Sequence, residues 1–112
     1  MTRQHTVPAE LRRALEGYDV DRGFGRTCPS CAREYEPGER VLVLAERPSD
    51  AATWSASSVV CKGCARGSIP EDERRESRQQ ALVSADLVAS GLTLAIDGES
   101  VRLREWAPAT DA

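Results

Sequence analysis

The feature that most constrains this chain is a pair of Cys-x-x-Cys units. Cys28-Pro29-Ser30-Cys31 and Cys61-Lys62-Gly63-Cys64 are separated by 29 residues. Two thiolates three residues apart in a tight turn can face one cation while backbone N–H groups point at the sulfurs. Two such turns complete a tetrahedral four-sulfur shell with metal–sulfur bonds of about 2.3 Å. Cys28, Cys31, Cys61 and Cys64 are therefore the expected metal ligands. Four thiolates leave no open position for water or substrate, so the expected site is structural, and metal binding is coupled to folding. Zn2+ is the expected ion, and iron is the alternative that the same donor set accepts. Structural disulfides are disfavoured in a reducing compartment. A redox role for Cys28 and Cys31 alone calls for a βαβ setting that the sequence does not offer.

Composition explains why a metal staple matters. The chain has 112 residues, only 4% of them aromatic. A domain of this size buries a limited share of its surface and often needs a cross-link or metal. The net charge is −3 and the pI about 5.2, which argues against a strongly basic nucleic-acid binder. Charge is spread without blocks: +1 over 1–27 (five cations, four acids), 0 over 28–67 (five and five) and −4 over 68–112 (five and nine). The first residues form no apolar leader, and no run approaches the roughly 20 apolar residues of a membrane helix. A cytoplasmic protein without membrane contact is expected. Catalysis is not, because His5 is the only histidine and no Gly-rich phosphate loop occurs.

Local patterns predict a short helix over 8–17, with Pro8 in its first turn, Leu11 and Leu15 on one face and Gly17 at its end. Arg40 to Glu46 reads as a buried strand, Pro48-Ser49-Asp50 as a turn, and Thr53 to Val60 as the returning strand. Ser68-Ile69-Pro70-Glu71 fits a capping box. It predicts a helix running to about Ser90, with Ala81, Leu82, Ala85, Val88 and Ala89 at helical spacing and Gly91 as its stop. Asp97-Gly98 is a two-residue hairpin signal that sets Leu94 opposite Val101 and puts Leu92, Leu94, Ile96, Val101 and Leu103 on one apolar face.

The two cysteine knuckles flanking a hairpin, with Gly38 before its first strand and Val59-Val60 leading into the second pair, resemble the zinc-ribbon and treble-clef class of small zinc fingers over about residues 26–66. Members of that class bind proteins or nucleic acid, or serve as structural clips. The same spacing, with Tyr35-Glu36-Pro37 after the first pair, is similar to rubredoxins, which implies a single-iron electron carrier. Here Ala32 and Ala65 stand where glycine usually follows each pair, and only Tyr35 and Trp54 are at hand as an aromatic shield. Residues 81–104, through Leu82, Leu92, Leu94, Asp97-Gly98 and Val101, resemble helix-plus-hairpin docking domains.

The expectation is an α+β fold: an N-terminal helix and loop (1–25), a four-Cys zinc finger (26–67), and a helix with a β-hairpin (68–112). The expected function is that of a non-catalytic adaptor or regulatory protein with another protein as partner. A transcription-associated nucleic-acid finger and a rubredoxin-like carrier are the alternatives. Arg12, Arg13, Arg22, Arg26, Arg33, Arg40 and Arg47 are the candidates for a phosphate-binding face, against a plain mixed surface. Tyr35 and Trp54 are expected to shield the metal, Trp106 to cover the hairpin or anchor an interface, and His5 to be a surface residue.

Overall fold

The computed structural model describes residues 7–20, 25–48, 53–64, 69 and 78–107. A seven-residue helix, α1 (Ala9–Leu15), starts after Pro8 and buries Leu11 and Leu15. Five antiparallel strands follow: β1 (Arg40–Pro48), β2 (Ser55–Cys61), β3 (Arg78–Ser90), β4 (Thr93–Ile96) and β5 (Arg102–Ala107). The expected α+β fold is thus corrected to a mostly β one, a curled antiparallel half-barrel with one short helix.

The largest correction concerns the predicted helix ending at Ser90. Its apolar half is β3, thirteen residues long and the centre of the sheet. Of its polar half, Arg78 to Gln80 open β3, and the rest, including the capping-box residues other than Ile69, lies outside the described residues. Along β3, Ala81, Val83, Ala85 and Leu87 enter the main core and Leu82 the opposite face. A strand buried on both faces loses the alternation that would mark it, and a continuous apolar run then reads equally as helix. Non-local partners decided the outcome. β1 pairs with β3 from Arg40↔Asp86 to Pro48↔Arg78. On the other side β4 pairs with Leu87 to Ser90, and β5 with Gln80 to Ser84.

The hairpin turn is corrected too. The chain reverses at Gly91-Leu92, between Ser90 and Thr93. Gly91 has φ +65, as the first position of a primed two-residue turn demands. Asp97-Gly98 instead opens a 3-10 turn, Gly98–Ser100, whose first N–H groups are met by the Asp97 carboxylate and carbonyl. β4 and β5 consequently pair with β3 in succession rather than with each other. Leu94, Ile96 and Val101 are buried as expected from an inward face, whereas Leu92, at the turn, is 95% exposed.

The sheet order is β2-β1-β3-β4, with β5 also on β3. Its concave face carries Val41, Val43, Ala45, Val59, Val83, Ala85 and Leu87, and α1 closes it with Leu11 and Leu15. Each fully buried aliphatic side chain of this kind contributes about 1.5–3 kcal/mol relative to exposure. The convex face carries Leu42, Leu44, Leu82 and Ala107, covered by Ile69. On that face Glu46 accepts from Arg78 Nη1 (2.7 Å) and Gln80 Nε2 (3.0 Å), and Arg40 pairs with Asp86 at 3.2 Å. Backbone outside the named strands extends the sheet in two places. Gly17 N–H donates to Ile96 O (2.9 Å) and Ile96 N–H to Tyr18 O (3.1 Å), so the segment after α1 lies along β4. Gly38 N–H donates to Leu87 O and Leu87 N–H to Glu39 O, extending β1 along β3.

Candidate metal centre

Both cysteine pairs sit where β-structure ends. Cys61 is the last residue of β2, and Lys62–Cys64 form a single 3-10 turn that swings Cys64 back beside it. The first pair lies in a loop closed by a bridge between Thr27 and Glu34. Cys28 N–H donates to Arg33 O (2.9 Å) and Ala32 N–H to Cys28 O (2.8 Å). This tight turn needs a left-handed residue after Cys31. The position is filled by Ala32 at φ +64, where glycine is the ordinary choice.

The expected ligands converge. The sulfurs of Cys28, Cys31, Cys61 and Cys64 all lie within 4.8 Å of one another. Cys61 Sγ is 3.6 Å from Cys31 Sγ and 3.5 Å from Cys64 Sγ. A tetrahedron with bonds of about 2.3 Å has edges of about 3.8 Å. The four sulfurs thus already stand near the corners that one cation requires, too far apart for disulfides and too close for four independent thiols. All four are free cysteines. Cys28 and Cys61 are buried, Cys64 is half-buried and Cys31 is exposed, so the centre lies at the surface with its inner half in the core.

Backbone polarity favours thiolates here. Cys61 N–H donates to Cys28 Sγ at 3.4 Å. Burial opposes ionisation of Cys28. The N–H groups of Cys61, Ser30 and Cys31 outweigh it and bring the thiol down to about 6. Burial likewise opposes ionisation of Cys61, but its contacts with the Cys64 and Cys31 sulfurs lower it. Cys64 is pushed up to about 12, chiefly by its contact with Cys61 and then Cys31. These contacts favour ionisation of Cys28 and Cys61 and oppose that of Cys64. A bound cation would displace the remaining protons.

Two neighbours complete the surroundings. Tyr35 is buried, donates its hydroxyl to Val59 O at 3.2 Å, and is held protonated by burial and then by the Cys28 charge. It stands beside the sulfurs as the sequence suggested. Trp54 does not. It precedes β2 at the end opposite Cys61, against Trp106, with ring centroids 5.4 Å apart and Arg47 over its ring at 5.9 Å. The sulfur cluster therefore has one aromatic neighbour of the expected two, because β2 is long enough to carry Trp54 away. Arg33, read as a phosphate candidate, instead presents both Nη atoms to the Glu39 carboxylate. Sequence patterning gave no sign of this pair.

Four of the other arginine candidates are also engaged within the chain, while Arg13 is exposed on α1. Arg12 Nη1 donates to Gly98 O (2.7 Å), Arg26 Nη2 to Leu92 O (2.8 Å), Arg40 Nη1 to Ser84 Oγ (3.2 Å) and Arg47 Nε to Gln79 Oε1 (2.9 Å). They serve separate parts of the fold and do not form one face. Arg22 and His5 lie outside the described residues. Among the described residues no helix is long and apolar enough to cross a membrane.

Neither the curated proteins nor the solved structures include a match to this chain. A family profile does match, over residues 6–91, a span that contains both cysteine pairs and strands β1 to β3 but stops short of β4 and β5. Its description mentions no zinc ribbon, treble clef or function. By that match the chain belongs to the family described as Domain of unknown function (DUF8112).

Proposed function

We propose that this chain is a non-catalytic zinc-binding module that acts through contact with another protein. The observation that carries the metal half is the set of four sulfurs within 4.8 Å, with the Cys61 N–H already aimed at Cys28. Cys28, Cys31, Cys61 and Cys64 would hold the ion. Its chemistry there would be structural, because a complete thiolate shell offers no position for a reacting molecule. The hairpin β1–β2 between the two pairs supports the zinc-ribbon likeness. Zinc is preferred over a rubredoxin-like iron because the aromatic shield of that class is reduced to Tyr35, with Trp54 at the far end of β2. A cytoplasmic setting keeps the thiols reduced and available.

The partner half rests on the β3–β4 turn. Leu92 is 95% exposed and Val88 40% exposed, on a protein whose other large apolar side chains among the described residues are covered. Five of the seven arginines that would have to form a phosphate face make internal contacts, which favours a protein over a nucleic acid.

Elemental analysis of the purified chain, with a visible spectrum of the same sample, tests the metal. About one zinc per chain and no colour is expected of a closed thiolate site. One iron per chain with a red colour that bleaches on reduction would replace this reading with the electron carrier. A photocrosslinking residue at position 92 should give one discrete protein adduct, lost when the partner surface is altered by Val88→Glu. A smear of adducts, or none, would overturn the partner half.

A further inference from the structure

Among the described residues β2 is an edge strand, and the first cysteine knuckle is what covers its edge. β1 pairs with β2 through Val41↔Cys61, Leu42↔Val60 and Val43↔Val59. In an antiparallel ladder alternate residues turn their backbone groups away from the partner. Val59 and Cys61 are the ones that do so here. The Val59 carbonyl accepts from Tyr35 Oη (3.2 Å), and the Cys61 N–H donates to Cys28 Sγ (3.4 Å). Both covering groups come from the first knuckle.

That cover is built differently from the one along β4. There the edge is met by the main chain of Gly17 and Tyr18, anchored by the buried Leu15 and Val20 on either side. The first knuckle is held by short-range bonds of its own, Cys28 N–H to Arg33 O and Tyr35 N–H to Arg26 O, and residues 29–34 are exposed. It reaches the core through Cys28 and Tyr35 alone, and besides the Tyr35 hydroxyl bond to Val59 it is tied to the second knuckle by the sulfur cluster. The strand beneath, Ser55-Ala56-Ser57-Ser58-Val59-Val60-Cys61, carries neither a charge nor a proline. Those are two of the devices by which exposed edges resist pairing.

We infer that the four-cysteine metal acts as a lock on the β2 edge, and that its release lets β2 pair antiparallel with β2 of a second copy of this chain. The inference rests on the metal-binding reading above. A second copy is the fitting occupant because its own edge is opened by the same event. A two-fold antiparallel pairing of these strands opposes no like charges and uses up both edges, closing the assembly at two chains.

Sedimentation velocity over a concentration series tests this, on zinc-loaded chain and on chain stripped with a chelator that is then removed, both under a thiol reductant. Elemental analysis and far-ultraviolet circular dichroism accompany each sample. The loaded chain is expected to sediment as a 12.2 kDa species. The stripped chain should sediment at twice that mass with its strand signal kept, and revert when zinc is restored. Ser57→Lys or Ser55→Lys, each at an exposed position of β2, should hold the stripped chain at single mass while leaving zinc content unchanged. A stripped chain that stays single with its strand signal intact overturns the lock. So does a dimer indifferent to both lysines, or loss of the strand signal on stripping. Absence of zinc from the loaded sample would instead fail the metal reading itself, and the lock with it.

Discussion

Trp54 and Trp106 meet with ring centroids 5.4 Å apart although β1 and β3 lie between the strands they flank. The contact is a direct expression of curl: in a flat sheet the two outer strands would be held about two strand spacings further apart, each about 4.8 Å. Trp54→Ala removes a buried ring that spans this seam and should cost about 3–5 kcal/mol. Trp106, half-buried, should cost less. A double-mutant cycle by urea denaturation should return a coupling of about 0.5–1.5 kcal/mol for the ring pair. Additive losses would mean that the rings do not close the seam.

Ala32 holds φ +64 in the first knuckle, is exposed, and needs no side chain there. Left-handed backbone costs a non-glycine residue about 1–2 kcal/mol. Glycine gives back part of this gain through the greater freedom of the unfolded chain, about 0.5–1 kcal/mol. Ala32→Gly should therefore raise the stability of the folded protein by up to about 1 kcal/mol, read from its urea midpoint.

Gly98 is the opposite case. A Cβ there would lie 2.7 Å from Glu16 Cβ and 2.6 Å from its Oε1. Arg12 fastens the same spot through Gly98 O, so α1 has little room to withdraw. Gly98→Ala should lower stability by about 1–3 kcal/mol, as overpacking does. In a Glu16→Ala background the loss should shrink without vanishing, because the carboxylate leaves but the Cβ stays.

Glu46 is 8% exposed and accepts from Gln80, which is 1% exposed, and from Arg78. Glu46→Ala removes one acceptor from each and should cost about 1–3 kcal/mol in thermal or urea unfolding. Glu46→Gln, which keeps a carbonyl acceptor, should cost less. An equal loss in both variants would assign the effect to the ion pair rather than to the buried amide.

Among the cysteines, Cys61 contacts both Cys31 and Cys64 and donates its N–H to Cys28. Cys61→Ser should lose metal most completely. Cys31→Ser, at the exposed corner, should retain a weakened site. Competition with a chromophoric zinc chelator ranks the two, and the reverse order would mean that the exposed sulfur governs retention.

What was legible in the sequence was what local chemistry controls. The Cys-x-x-Cys spacing named the four sulfurs that converge, and the Val41–Ala45 run and the residues before Cys61 marked β1 and β2. Pro8 and Gly17 bracketed α1. What was hidden depends on residues far apart. Ala81, Leu82, Ala85 and Val88 fit a helical stripe, yet β1, β4 and β5 together supplied backbone partners on both sides of that segment, and no local propensity reports such an offer. Asp97-Gly98 carried a hairpin signature, but the glycine is fixed instead by its packing against Glu16. Trp54 sat near the cysteines in sequence and far from them once β2 extended.

The placement of β3 has a consequence for how the polypeptide emerges during synthesis. Both cysteine pairs and the hairpin between them, residues 28–64, are complete before the strand that joins β1 to the rest of the sheet leaves the ribosome. The inner flank of β1 then awaits a partner while its other flank is already paired. At about 5–20 residues per second, that interval lasts a second or more. Ion capture by a nascent hairpin would hold it in register through the wait, making metal supply a condition of timely folding as well as of final stability.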